Sequence, residues 1–178
     1  MKKHAFALSK VNQLLETGPV VLVTTSIKGK PNVMAMAWHT MLDFDPPLLG
    51  CVVGEQSRSH KILKATGECV LNIPTVELAG QVMNCGRVAD PNVDKFKKFK
   101  LTPVAASSVN APLIDECYAC LECKVIDSRL VKKYNFFIMR VVKAWIDPAV
   151  KDPRTIHHRG GNRFMVAGRT IKTSKAVK

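Results

Sequence analysis

Residues 20–47 constrain the fold more than any other stretch of this chain. Pro19-Val20-Val21-Leu22-Val23-Thr24-Thr25 is a β-branched run bounded by Gly18, which is the pattern of a buried strand. Lys28-Gly29-Lys30-Pro31 supplies a turn, since Gly29 can take positive φ and Pro31 cannot sit in the middle of a ladder. Residues 32–39 then return as a second strand, with Asn32, Met34, Met36 and Trp38 on one shared face. An amide at one end, an indole at the other and thioethers between them make poor sheet core. They make a good wall for a flat, polar-edged aromatic ligand. Asp45-Pro46-Pro47 ends the segment and hands the chain to another apolar strand over 48–53.

The rest of the chain continues this pattern. An amphipathic helix is expected over 5–15. Ser57 caps a short helix that Gly67 stops. Residues 68–73 read as a strand, Thr75 caps a helix to about Met83, and 84–92 is a loop rich in Gly, Asn, Asp and Pro. Residues 94–100 form a basic helical turn with Phe96 and Phe99 on one face. Residues 113–127 and 133–146 read as two long strands around Ser128-Arg129, and the tail from Asp147 is mostly loop. Strands arriving in pairs, with short helices between, specify a small antiparallel barrel and not a doubly wound parallel sheet. No Gly-x-Gly-x-x-Gly or phosphate-loop motif occurs, which argues against a Rossmann domain.

At 178 residues one domain is expected over 1–178, with an N-terminal helical segment within 1–18 and a loop-rich tail over 147–178. No apolar run approaches the roughly 18–20 residues needed to cross a bilayer. The start of the chain lacks a signal-peptide core, so a cytoplasmic protein with six reduced cysteines is expected. The formal net charge of +13 points to an anionic partner. A basic nucleic-acid-binding module is one reading of that charge. Against it, the basic residues are dispersed, aromatics make up only 6%, and no known nucleic-acid motif appears. The charge is read as solubility plus attraction of anionic small molecules.

Cys117-x-x-Cys120-x-x-Cys123 has the spacing of part of an iron–sulfur motif. On an extended strand, however, Cys117 and Cys123 would stand about 20 Å apart with Cys120 facing the other way, so no metal is assigned. No acid–base pair or nucleophile triad stands out around His60, His157 or His158.

The ordered set Gly29-Lys30-Pro31-Asn32, Trp38, Asp45-Pro46-Pro47, Ser57-Arg58-Ser59, Gly67-Glu68, Leu71-Asn72, Cys85-Gly86 and Val93-Asp94-Lys95-Phe96 resembles the flavin reductase-like proteins. Ile114-Asp115-Glu116, Leu121-Glu122-Cys123 and His157-His158-Arg159-Gly160-Gly161 with Arg163-Phe164 complete the likeness, over about 20–168. It looks most like the flavoredoxin and archaeal ferric-reductase branch. The resemblance implies a mainly β fold, an antiparallel Greek-key split β-barrel with short flanking helices, working as a homodimer with one FMN per subunit. It also implies that Asn32, the backbone of Met34, Ala35, Met36 and Ala37, and Trp38 line the ring and ribityl side.

On the same likeness Ser57, Arg58 and Ser59 meet the phosphate at a helix start, and Lys95 adds a second charge there. Cys85 lies near that phosphate pocket, and Tyr134 and Phe164 approach the flavin. Ser59 stands where many relatives carry Thr, keeping the hydroxyl, and Tyr134 stands where close relatives carry His. The expected function is an FMN-dependent oxidoreductase passing electrons from NAD(P)H to a small or protein acceptor: free flavin, a ferric complex or a redox partner. The alternative is a non-enzymatic FMN electron carrier.

Overall fold

The computed structural model describes residues 3–173; the outermost residues of the expected domain lie outside that range. Strand β1 (His4–Ala5), a 3-10 turn at Leu8–Lys10 and the one-turn helix α1 (Asn12–Leu15) replace the continuous helix expected over 5–15. The reason is tertiary. β1 and the Phe6 N–H bond to the edge of a later strand, while Val11, Leu14 and Leu15 still bury their apolar side chains.

The first hairpin follows, β2 (Val21–Ile27) and β3 (Lys30–Met36). Its turn is tighter than the sequence suggests: Lys28 and Gly29 both take positive φ, 50° and 73°, the conformation favoured between twisted strands. Pro31 therefore lies inside β3, where an edge strand tolerates its missing N–H. The expected long strand over 32–39 breaks after Met36. It resumes as β4 (His39–Phe44), which turns at Asp45-Pro46 and pairs with β5 (Pro47–Val52).

Helix α2 (Arg58–Thr66) begins and ends where its caps predict. The Ser57 hydroxyl accepts from the His60 N–H, and Gly67 closes the helix at φ 68°. β6 (Glu68–Ile73) follows. Thr75 does not cap the next helix; its hydroxyl bonds the Glu77 carboxylate, and a 3-10 turn at Val76–Leu78 precedes α3 (Ala79–Arg87). The first part of the loop expected over 84–92 is thus helical. In α4 (Lys95–Phe99), capped by the Asp94 carboxylate, Phe96 and Phe99 turn to the core as expected.

The expected strand over 113–127 is two pieces, β8 (Leu113–Ile114), paired with β7 (Pro103–Val104), and β9 (Ala119–Asp127). A helical turn α5 (Val131–Tyr134) precedes β10 (Phe136–Ile146), and the tail carries a hairpin, β11 (Ile156–His158) with β12 (Phe164–Val166).

The main sheet runs β3-β2-β6-β9-β10-β5-β4, all antiparallel, with β1 on β10. Its two path ends, β3 and β4, are joined only by Ala37 and Trp38, so one bent segment closes the sheet on itself. The result is a split barrel. Among the described residues no helix is long and apolar enough to span a membrane.

One apolar cluster fills the barrel, including Val21, Met36, Leu49, Leu71 and Phe137. A second lies outside β2, β3 and β6 and holds α3 and α4 against them through Val33, Val82 and Phe96. Polar side chains on this outer face pin β8 and the connection that precedes it. Asn72 accepts from the Ile114 N–H at 2.8 Å, and Glu68 accepts from the Asn110 N–H at 2.8 Å.

Glu122, fully buried on β9, accepts from the Ser107 N–H and hydroxyl, from the Ser108 N–H and from Trp145 Nε1 at 2.7 Å. Burial pushes its pKa up, but the donors, led by Trp145, outweigh burial and hold it below the usual carboxylate range. A depressed native pKa contributes stability above the unfolded value, lost as pH falls through the native one. Glu122→Gln is expected to cost about 1–3 kcal/mol in chemical denaturation at neutral pH and to flatten the decline in stability below the ordinary glutamate pKa of about 4.3. An unchanged acid slope would count against a charged Glu122.

Candidate functional site

A groove runs along the outside of the barrel between β3 and α3. Two cavities sharing Ala35 and Gly86 make it up, one of about 270 Å³ and one of about 120 Å³. Small residues set its width: a Cβ on Gly86 would lie 3.5 Å from the Ala35 methyl, so a larger residue at either position would narrow the gap.

The smaller, polar end gathers most of the residues singled out from the sequence: Asn32, Met34 and Ala35 from β3, Ser57, Arg58 and Ser59 from the start of α2, then Cys85 and Lys95. Asn32 Nδ2 donates to Ser59 Oγ at 2.7 Å, which leaves the Ser59 hydroxyl proton to donate elsewhere. Ser57 spends its oxygen on the His60 N–H and its proton on the Gly54 carbonyl. Arg58 donates through Nη1 to the Pro91 carbonyl at 2.7 Å.

Lys95 is the centre of this end. It is buried, whereas Lys97, Lys98 and Lys100 of the same basic run are not. Its Nζ donates to the Val33 carbonyl at 3.0 Å and to the Cys85 carbonyl at 3.1 Å. An ammonium has three protons, so one remains. Among the described residues no ion pair involves Lys95. Burial lowers its pKa, Cys85 pulls the other way, and Arg58 lowers it further. Two cations beside a helix start, with no carboxylate paired to the buried one among the described residues, fit a phosphate.

The Cys85 thiol is itself buried on α3, not placed in a loop, and burial pushes its pKa up to about 11 despite Lys95. A thiol held neutral in this way contributes an apolar wall to the cavity.

The larger end is apolar. The face expected to wall a ligand is not the one that lines this end: Met34 and Met36 pack on the barrel cluster, and Ala35 and, just past β3, Ala37 pack on the outer one. The odd-numbered side chains therefore line this end, with Met36 at its margin and Val20, Val82 and Phe164 opposite. Arg87, His158 and Gly161 stand at its rim. Of the α3 residues lining this end, Val82 and Met83 fall in the expected helix and Gly86 and Arg87 in the expected loop; their common helical spacing is the signal that could have joined them.

Trp38 and Tyr134 line neither cavity. They are 69% and 55% exposed and lie at one end of the sheet, where the Trp38 carbonyl accepts from Val52 and the Asn135 carbonyl from Val53.

The cysteine run departs from the expected continuous strand. β9 starts only at Ala119, so Cys117 shares the outer cluster with Cys120, and of the three only Cys123 faces the barrel interior.

Comparison with known proteins places this architecture. The family described as "Flavin reductase like domain" matches residues 15–165. An uncharacterized protein of Archaeoglobus fulgidus is 35% identical over 123 residues, 69% of this chain and 70% of that protein. The uncharacterized protein YddH of Escherichia coli is 27% identical over 92% of this chain and 94% of that one. Among solved structures, an FMN-binding domain of a flavin reductases-like enzyme from Shewanella baltica superposes with a TM-score of 0.90 at 28% identity, covering 97% and 98% of the two chains. Flavoredoxin of Desulfovibrio vulgaris shares the fold with a TM-score of 0.78 at 22% identity, over 88% and 90%. With its split barrel, its grooved outer face and a family match spanning most of its length, this chain belongs to the flavin reductase-like family.

Proposed function

We propose that the groove holds FMN, with the phosphate on Lys95, Arg58, Ser59 and the start of α2 and the ring system in the apolar end. The observation that carries this reading is the buried Lys95 ammonium, held by two carbonyls, in no ion pair among the described residues and placed next to an apolar slot. The FMN-binding neighbour from Shewanella baltica supports it. Bound FMN would supply the redox chemistry, taking a hydride from NAD(P)H and passing electrons to a small or protein acceptor.

The chain's own residues bind and orient. Asn32 fixes the Ser59 hydroxyl, Lys95 neutralises the phosphate, and Ala35, Ala37 and Val82 keep water from one side of the ring. No side chain needs to act as nucleophile. The working unit is a homodimer, for which the exposed apolar side chains Trp38, Leu42 and Phe44 along β4 and its entry offer the pairing surface.

Purified protein is expected to be yellow and to release FMN on heating. Lys95→Ala should weaken FMN binding roughly 10- to 100-fold and Asn32→Ala roughly two- to tenfold, measured by fluorescence titration of the apoprotein. Unchanged affinity in both variants would remove the phosphate assignment.

The pH dependence has a definite sign. An anion favours protonated Lys95, so affinity is full below the lysine's lowered pKa and is lost as pH rises through it. Above about pH 8, where the phosphate is fully dianionic, FMN affinity should fall with increasing pH in the native protein, and Lys95→Ala should flatten that fall.

Rapid mixing with NADH and NADPH decides between enzyme and carrier. Bleaching of the flavin absorbance well above the rate for free FMN supports the reductase; a flavin reduced only by chemical or protein donors assigns the carrier role.

A further inference from the structure

The hairpin of β11 and β12 contributes Phe164 to the apolar end of the groove and also to a separate cavity of about 310 Å³ lined by Arg159, Arg163, Phe164 and Met165. FMN seated as proposed above has no use for this cavity. The hairpin is a firm mount. Ile156 is buried and its carbonyl accepts from the Val20 N–H at 2.8 Å, and the Ala167 N–H bonds the Thr155 carbonyl at 2.8 Å. At the tip the Arg159 N–H bonds the Arg163 carbonyl at 2.9 Å across a turn made by Gly160 and Gly161 at positive φ. This fixes the two arginine backbones opposite each other. Both residues are exposed, and no ion pair among the described residues involves Arg159, Arg163 or the nearby groove-rim Arg87.

Two guanidiniums on one rigid turn match a doubly charged group with three terminal oxygens better than a bridging diphosphate, which carries about one charge per phosphorus. The cavity is open to solvent and edged by an aromatic ring and a thioether, which suits a flat base attached to that group, whereas a partner protein would need a broader face. We infer that the Arg159–Arg163 pocket takes the adenosine 2′-phosphate end of the reduced dinucleotide, so that the protein uses NADPH in preference to NADH. This rests on the reading of the groove as a flavin site, because the neighbouring apolar end is where the other end of the dinucleotide would react.

The test uses the full chain as purified and two readouts. In calorimetry, adenosine 2′,5′-bisphosphate should bind at least roughly tenfold more tightly than 5′-AMP, and Arg159→Ala/Arg163→Ala should erase that difference while the protein keeps its folded circular dichroism and its flavin content. In turnover, the ratio of kcat/KM for NADPH to that for NADH should fall roughly tenfold in the same variant. Equal binding of the two nucleotides by the native protein would overturn the inference. So would an unchanged ratio, including an equal loss with both dinucleotides, which would assign the arginines to the diphosphate. Nucleotide binding is read without turnover, so a protein that failed to hold FMN would sink the flavin reading while calorimetry still decided whether this pocket prefers the 2′-phosphate.

Discussion

The Lys95 ammonium ties the candidate site to the fold. A cation removed from water is costly unless its protons find acceptors. Here two carbonyls from different elements, Val33 of β3 and Cys85 of α3, supply them. The same contacts fix the spacing between strand and helix, because one side chain from α4 reaches both. The solvation of the lysine thus acts with the packing of Val33, Val82 and Phe96 to set the groove between β3 and α3. An anion placed against the remaining proton would add a charged acceptor to the two carbonyls that hold the ammonium among the described residues.

Around β2, β6 and the first half of β9 the sheet is buried on both faces, and this determines where a ligand can sit. The barrel interior is filled by side chains such as Met36, Leu49, Leu71 and Phe137, as expected of a barrel this small. The groove lies instead on the outer face, where α3 and α4 stand off the sheet. The chain keeps that space open with small residues, Ala35 and Ala37 on the strand side and Gly86 on the helix. It anchors the surrounding connections with buried polar groups, Glu122 and Asn72 among them. A simple alternation rule expects polar residues on that outer face, but it expects them in water, whereas Glu122 and Asn72 are fully buried there.

Local signals in the sequence locate the first hairpin, the caps of α2 at Ser57 and Gly67, the Phe96 and Phe99 face and the polar end of the groove. Each is set by neighbours within a few residues or by an ordered family pattern. What escapes them depends on contacts far along the chain. The amphipathic stretch over 5–15 gives up its first turn because β10 offers an open edge to His4 and Ala5. The strand through Met36 breaks because the same segment must serve both ends of the sheet. The β3 face is ambiguous for a related reason: with both faces of the sheet buried, a polar-and-thioether row does not announce which side holds the void. Trp38, the most conspicuous side chain in that row, lies past the break and lines neither cavity of the groove. By sequence Lys95 is one lysine among four, and only its burial separates it from Lys97, Lys98 and Lys100.

The cations in the groove and in the cavity beside it fall into two classes with different physical consequences. Lys95 is buried, where an opposite charge is felt through a low effective dielectric and little salt. An anion held there leaves slowly, as suits a resident group. Arg159 and Arg163 are exposed on a turn, where attraction is screened over about 8–10 Å and mainly speeds encounter. A ligand held there exchanges, as suits a substrate. A net charge of +13 spread over the surface draws anions without sorting them. On the proposed reading depth would do the sorting: the deeper charge would select what stays bound, and the shallower pair what visits.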